Sequence, residues 1–169
     1  YIVDSIHIPF EWDRSWQIFP SMRRKRTTQT WSSTSTGLDI SAMQLAARQL
    51  TGTHDFTTFQ SAKCQRHDPI VTLRDVSVHA EPYYVLGGTT TLASTTLPQA
   101  QLVTIRFVGD SFLYRQVRNM VGCLVDVGRG IIDPESISDL IMAKKRSKSM
   151  TAPPQGLFLV DVQHENFSF

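Results

Sequence analysis

Arginines rather than nucleophiles are the residues this sequence spaces for chemistry. Within Asp110–Gly130, DSFLYRQVRNMVGCLVDVGRG, the side chains of Ser111, Arg115, Arg118 and Gly122 form a stripe at helical spacing. Beside it runs an apolar face of Leu113, Val117, Met120, Val121 and Leu124, the i, i+3, i+4, i+7 pattern of a helix packed on a core. Arg118 lies on the seam between the two, which half buries its guanidinium at the edge of a cleft. A guanidinium so placed needs a carboxylate, phosphate or carbonyl partner, because a buried charge left unpaired is costly. Gly122 inside a helix costs about 1 kcal/mol relative to alanine, which close approach by another backbone or a ligand would justify. The plainer alternative is an amphipathic helix with two solvated arginines and a packing glycine.

Other chemistries find little support. There are five histidines, none in an HxxxH or HxxEH spacing, and the two cysteines, Cys64 and Cys123, complete no metal set. No GxSxG elbow, GxxxxGK[ST] loop or GxGxxG turn occurs, so hydrolase, P-loop and dinucleotide readings fail. The aspartates are scattered, with no close pair suited to acid–base work. Cations recur instead: Lys63 and Arg66 in a polar loop with His67, the run Arg23–Arg26, and the cluster Lys144, Lys145, Arg146 and Lys148. A basic run can bind phosphates or act as a nuclear address. Many such runs are merely solvated.

The elements that must position these groups follow from patterning. Tyr1–Ile8 alternates like a strand, with Ile2, Ile6 and Ile8 inward, and Pro9 ends it. Phe10–Phe19 carries Trp12, Trp16 and Phe19 as anchors to the body of the domain. Ser21–Gly37 is basic, Ser/Thr-rich and aperiodic, and reads as a mobile surface loop. Asp39 is the N-cap of a helix through Leu50, with Ile40, Met43, Ala47 and Leu50 on one face and Gly52 stopping it. His54–Phe59 reads as a packed corner. Val71–Ala80, with Val76, Val78 and Ala80 on one face, and Leu102–Val108 read as strands. Glu81–Ala100 is long for a connection, so an inserted loop or extended hairpin is expected.

Asp133-Pro134-Glu135 is a helix start: N-cap, proline in the first turn, and an acid near the positive dipole end. Ile137, Leu140 and Ile141 face inward, and the basic cluster beginning at Lys144 suits the helix's negative end. The TAPPQG stretch then leads into a strand, Leu157–Val162. No internal repeat is present. These elements predict an α+β fold, a mixed or antiparallel sheet with helices packed on one face. The other face must be covered by something else or serve as a binding surface.

With 169 residues, 41% hydrophobic and 19% charged, the chain suits one domain spanning 1–169. A net charge of +2 permits an anionic partner without demanding one. Two widely separated cysteines imply free thiols and so an intracellular, reducing compartment, with cytoplasm, nucleus and mitochondrion unresolved. No apolar run reaches the length of a membrane span. The first residue is Tyr1 rather than methionine, so the chain reads as a fragment, a processed product or part of something longer.

Four blocks, in order, resemble the C-terminal half of the TruA family of tRNA pseudouridine synthases: LTGTHDFTTFQSAKCQ (Leu50–Gln65), DSFLYRQVRNMVGCLVDVG (Asp110–Gly128), the DPESI helix start with its following AKKR, and TAPPQGLFLVDV (Thr151–Val162). The resemblance implies the C-terminal half of a pseudouridine synthase fold. It also implies an isomerase that converts uridine to pseudouridine in the anticodon arm of tRNA, without cofactor or metal, and often as a homodimer. In that family an aspartate attacks covalently, the glycosidic bond breaks, and the base turns and rejoins through carbon. The resemblance implies that Arg118 pairs with this aspartate and that Leu157, in PQGLFL, lines the pocket of the flipped base. Both roles suit the residue types, since an arginine keeps a neighbouring carboxylate ionised and a leucine offers an apolar wall to an unstacked base. Arg115, Lys63 and Arg66 are then candidate RNA contacts.

One departure matters. The family's aspartate lies in an R-T-D-x-G motif, and no such string occurs here; none of the aspartates from Asp4 to Asp161 substitutes for it. Tyr1 resembles the second tyrosine of the family's Y-x-Y stretch, whose stacking tyrosine falls outside the chain. The expectation is therefore an arginine side without a nucleophile side, inactive alone, whose partners are tRNA and a missing N-terminal catalytic half. The rival expectation is a non-catalytic RNA-binding or ribonucleoprotein scaffold derived from the same fold, motivated by Arg23–Arg26 and the absent nucleophile. A third reading, a sheet domain binding a protein partner, requires the four blocks to be coincidence.

Overall fold

The computed structural model describes residues 2–4, 13–18, 37–82 and 101–163. Five strands make one sheet: β1 (Ile2–Asp4), β2 (Trp16–Ile18), β3 (Gly52–Asp55), β4 (Ile70–Pro82) and β5 (Gln101–Gly109). Their order is β2-β1-β5-β4-β3. β1 and β2 run parallel, and every other neighbouring pair is antiparallel. The fold is thus α+β on a mixed sheet, as the patterning predicts.

The β4–β5 hairpin arms form the centre of this sheet. Val71, Leu73, Val76 and Val78 of β4 are buried, yet the step from Leu73 to Val76 breaks a strict period of two. A register shift between Leu73 and Asp75 absorbs the extra residue, as a β-bulge does. Val76, Val78 and Ala80 stand opposite Phe107, Ile105 and Val103. Val103 is fully buried, whereas Ala80, expected inward, is exposed.

Three helices build on this sheet: α1 (Ile40–Leu50) packs on β4, α2 (Gln116–Gly128) packs on α1, and the short α3 (Ile137–Met142) packs on α1 and β3. The Asp39 carboxylate accepts from the Ala42 amide at 2.9 Å and caps α1, a contact worth about 1 kcal/mol. Met43, Ala46, Ala47 and Leu50 are the buried face of α1, and the Gln44 side-chain amide donates to the Val78 carbonyl of β4 at 3.0 Å. Gly128, at the end of α2, lies so close to the Met43 sulfur that a Cβ there would stand 2.7 Å from it. Asp133 accepts from the Glu135 amide in a 3-10 turn, Pro134–Ser136, that leads into α3. Phe56, Phe59, Met120, Leu124 and Ile137 complete the core. Among the described residues no helix is long and apolar enough to cross a membrane.

Several expectations need correction. His54 and Asp55, expected in the corner, belong instead to the strand Gly52–Asp55: Gly52 at φ +117 turns the chain straight from α1 into pairing with β4. The corner itself is a 3-10 turn, Phe56–Phe59, in which both phenylalanines are buried. Trp16 is an anchor, as expected, but it sits in a strand beside β1. The central helix starts at Gln116, not near Asp110. The strand expected at Leu157–Val162 is absent: its residues have no sheet partner among the described residues and are mostly exposed. Ile6, Ile8, Trp12, Phe19, nearly all of the 21–37 loop and 83–100 of the insertion lie outside the described residues.

Candidate functional site

Arg118 owes its position to the way α2 begins. Leu113 is buried, and its amide donates at 2.7 Å to the side-chain oxygen of fully buried Gln116. Between them Arg115 takes a left-handed conformation at φ +62, uncommon for a residue with a side chain. This kink turns the chain into the helix and leaves Arg115 exposed, its guanidinium carbon 5.1 Å from the centre of the Tyr114 ring.

A second segment, here called the strap (residues 145–153), lies against α2. The Ser147 amide donates to the Thr58 carbonyl at 2.9 Å, and the Ala152 amide to the Arg118 carbonyl at 3.0 Å. Arg118 returns the contact, its Nε donating to the Ala152 carbonyl at 2.6 Å. One residue along each segment, the Thr151 hydroxyl donates to Asn119 Oδ1 at 2.7 Å, while Asn119 Nδ2 donates to the Phe59 carbonyl at 2.7 Å. Gly122 is what lets the strap come this near, since a Cβ there would collide with the Met150 carbonyl oxygen. Close backbone approach, one of the two reasons the sequence allowed for that glycine, is therefore observed.

The consequence is a guanidinium held by one edge. Nε of Arg118 is committed to Ala152, and no carboxylate among the described residues forms an ion pair with its outer nitrogens. The ion pairs in that set are Arg74–Asp110, Arg129–Asp126 and Lys144–Asp55. Burial, then the neighbouring charge of Arg115, pulls the Arg118 pKa below its ordinary value, but an arginine stays cationic at neutral pH. A fixed, partly desolvated cation with its fork uncommitted can bind and orient an incoming carboxylate or phosphate.

The other expected residues fall into two groups. Arg66 is exposed and donates to the Ser111 hydroxyl at 2.9 Å and to the Ile70 carbonyl at 3.3 Å. That bond ties the loop carrying Lys63 and Arg66 to the segment leading to Arg115. Cys64 joins the same junction: hydrogen bonds from Gln60, then from the Tyr114 backbone, lower its thiol pKa. Lys63 is exposed on that loop. Leu157 follows the strap after a 3-10 turn, Pro154–Gly156, its amide donating to the Pro154 carbonyl at 3.0 Å. It is 51% exposed, so no pocket wall forms around it within the described residues.

Reasoning from sequence missed Asn119, Thr151 and Ala152 as the groups that fix the arginine. TAPP was visible as a motif, but a carbonyl acting as a hydrogen-bond acceptor carries no side-chain signal. Cys123, on α2, is buried and its thiol is pushed up to about 12, so it is inert at neutral pH. Among the described residues no three His, Cys, Asp or Glu side chains converge as a metal site would require.

The chain is similar to known proteins over most of its length. Residues 46–165 match the family model described as tRNA pseudouridine synthase. Over 130 residues, 76% of this chain, it is 39% identical to tRNA pseudouridine synthase A of Listeria monocytogenes serotype 4b, covering 46% of that protein. It is 37% identical over 130 residues to tRNA pseudouridine synthase A of Cupriavidus pinatubonensis, covering 75% of this chain and 40% of that one. The mouse protein named tRNA pseudouridine synthase-like 1 is 39% identical over 143 residues, covering 81% of this chain and 46% of its own length. The chain thus spans less than half the length of these relatives.

Proposed function

Because the chain belongs to the tRNA pseudouridine synthase family, we propose that it supplies the arginine side of a TruA-type active site. A second half supplies the aspartate, and together they isomerise uridine in the anticodon stem-loop of tRNA. The observation that carries this reading is the Arg118 fork, tethered through Nε to Ala152 and met by no carboxylate of the described residues. A guanidinium beside the incoming aspartate keeps it ionised and so nucleophilic. The carboxylate attacks C1′ as the N1–C1′ bond of the uridine breaks, the base turns, and a C5–C1′ bond forms as the carboxylate leaves. The C5 proton is lost and N1 gains one, so the product is an isomer and no cofactor is needed.

In this reading Leu157 becomes a wall for the flipped base once the second half covers it. Arg115, Lys63 and Arg66 neutralise phosphates along the approach to Arg118, positioning the RNA rather than reading its sequence. Two facts support a missing half: the chain spans less than half of its relatives, and the run after the strap is apolar yet exposed, Leu159 and Val160 at 82% and 83%. A continuous apolar run of this kind suits a strand buried on both faces. Homodimerisation, frequent in the family, is proposed for the assembled protein. The free thiols of Cys64 and Cys123 support work in a reducing, intracellular compartment.

The test is pseudouridine formation in tRNA by the chain alone and after an N-terminal half bearing R-T-D-x-G is added. We expect none alone and turnover on addition; turnover by the chain alone contradicts the proposal. A scaffold would instead bind tRNA and gain no activity from the added half. Binding should weaken with salt at a log–log slope of roughly −0.7 to −0.9 per neutralised phosphate, and a flat response would remove nucleic acid from the account.

A further inference from the structure

A recess of about 250 Å³ opens between the 3-10 turn Phe56–Phe59, α2 and the strap, lined by Thr58, Asn119, Arg146, Ser147, Ser149 and Thr151. It holds several times the roughly 30 Å³ that a water occupies in the liquid, enough for a tetrahedral oxyanion with some of its hydration. The lining residues are one arginine and neutral polar residues, with no acidic residue among them. Several of those groups are committed to the fold. The Thr58 hydroxyl donates to the Leu140 carbonyl, and Thr151 and Asn119 hold each other. The Ser149 hydroxyl is buried and meets no hydrogen-bond partner among the described residues.

Arg146 and Ser147 are different. The Ser147 oxygen accepts from the Ser149 amide at 3.1 Å, which leaves its own proton to donate. Arg146 is exposed and takes part in none of the ion pairs found among the described residues, whereas Lys144 pairs with Asp55 at 2.8 Å. The negative end of α3 does not account for Arg146 either. That helix ends at Met142, and the dipole effect fades within the last turn. The basic cluster therefore divides into a lysine that serves the fold and an arginine over a polar recess.

The recess shares its walls with the Arg118 site. Asn119 and Thr151 are the chain neighbours of Arg118 and Ala152, and consecutive Cα atoms lie about 3.8 Å apart. We propose that this recess, with Arg146 and Ser147 as donors, binds a backbone phosphate of the RNA beside the nucleotide held at Arg118. The inference rests on the reading of the chain as an RNA-modifying half. Arginine suits the task because its planar fork meets phosphate through two parallel hydrogen bonds.

The experiment uses the 169-residue chain and two exposed-site variants, Arg146→Gln and Lys145→Gln, the latter next to the recess but not lining it. Affinity for a uridine-containing RNA stem-loop is measured across a salt series, and amide resonances of Ser147 and Thr151 are followed during titration with inorganic phosphate. We expect Arg146→Gln to reduce the magnitude of the salt slope by roughly 0.7–0.9, one phosphate's share, and to abolish saturable phosphate shifts. Lys145→Gln should do neither. RNA binding with an unchanged slope in Arg146→Gln overturns the recess while leaving the family reading intact. Equal loss in both variants makes the cluster a diffuse cation and overturns it too. A saturable phosphate response without an RNA effect marks a free-anion site, which contradicts the RNA claim. A slope change without shifts in the recess amides puts the contact elsewhere and does the same. A salt-independent or absent RNA interaction removes both the recess and the reading beneath it.

Discussion

Thr151–Ala152 and Leu157–Val162 are separated by a single 3-10 turn, yet they differ in almost every physical respect. Ala152 is 5% exposed and joined to Arg118 in both directions, by backbone and by side chain. Val160 is 83% exposed and has no ladder partner among the described residues. The first region is finished by this chain's own helix. The second is apolar without being covered, which water disfavours for so continuous a run. The contrast teaches where the fold is self-sufficient: the arginine is preorganised locally, while the run leading away from it is left uncovered among the described residues.

The first way to break that contrast is at Gly122. Alanine there would drive a methyl into the Met150 carbonyl, and since overpacking costs about 1–3 kcal/mol, Gly122→Ala should lose about 3 kcal/mol in urea denaturation. A loss within about 0.5 kcal/mol, the usual range for a surface change, would mean that the strap does not depend on close approach. The second way is at Val160. Val160→Lys should leave the isolated chain's stability within about 0.5 kcal/mol. It should weaken association with an N-terminal half by about tenfold or more, the 1.5–3 kcal/mol of a buried valine. Destabilisation of the isolated chain would show that the run is already packed.

The third and smallest effect sharpens how the strap is approached. Hydrogen bonds from Lys144, then from Thr57, hold the Asp55 carboxyl down from 3.8 to about 2. A depressed carboxylate stabilises the fold fully above its unfolded pKa and loses that contribution as pH falls through the folded one. Asp55→Asn should therefore cost about 1 kcal/mol at pH 7, and the deficit should shrink between pH 4 and 2. A deficit that stays constant with pH would deny the ion pair a role.

What the sequence revealed were features whose cause is local. The Asp39 cap, the Met43–Leu50 face and the Asp133-Pro134-Glu135 start are written within a few residues and are observed. Gly122 was legible because a glycine inside an amphipathic pattern needs a reason. Gly52–Asp55 and Trp16–Ile18 were not legible as strands, because short strands are defined by the neighbour they pair with. Spacing puts Arg115 on the helix face, but its left-handed backbone delays the helix start to Gln116, a conformation that composition does not announce. The residues of Leu157–Val162 suit a strand, but no ladder partner stands beside them among the described residues. The tether of Arg118 was half legible: the need for a partner could be inferred, but not that a backbone carbonyl would meet part of it.

On the proposed function, the fork of Arg118 is presented to an acid from outside the chain. The most direct measurement compares wild type with Arg118→Lys in the protein assembled with its N-terminal half, following tRNA affinity and kcat for pseudouridine formation. Lysine keeps the charge but loses the planar fork and the Nε bond to Ala152. Losing a charge-assisted hydrogen bond of about 1.5–3 kcal/mol corresponds to roughly a 10- to 100-fold fall. We expect kcat to drop by about that factor while affinity for tRNA changes by less than about threefold, because phosphate contacts elsewhere carry most of the binding. An Arg118→Lys protein that turns over like wild type would contradict the central claim.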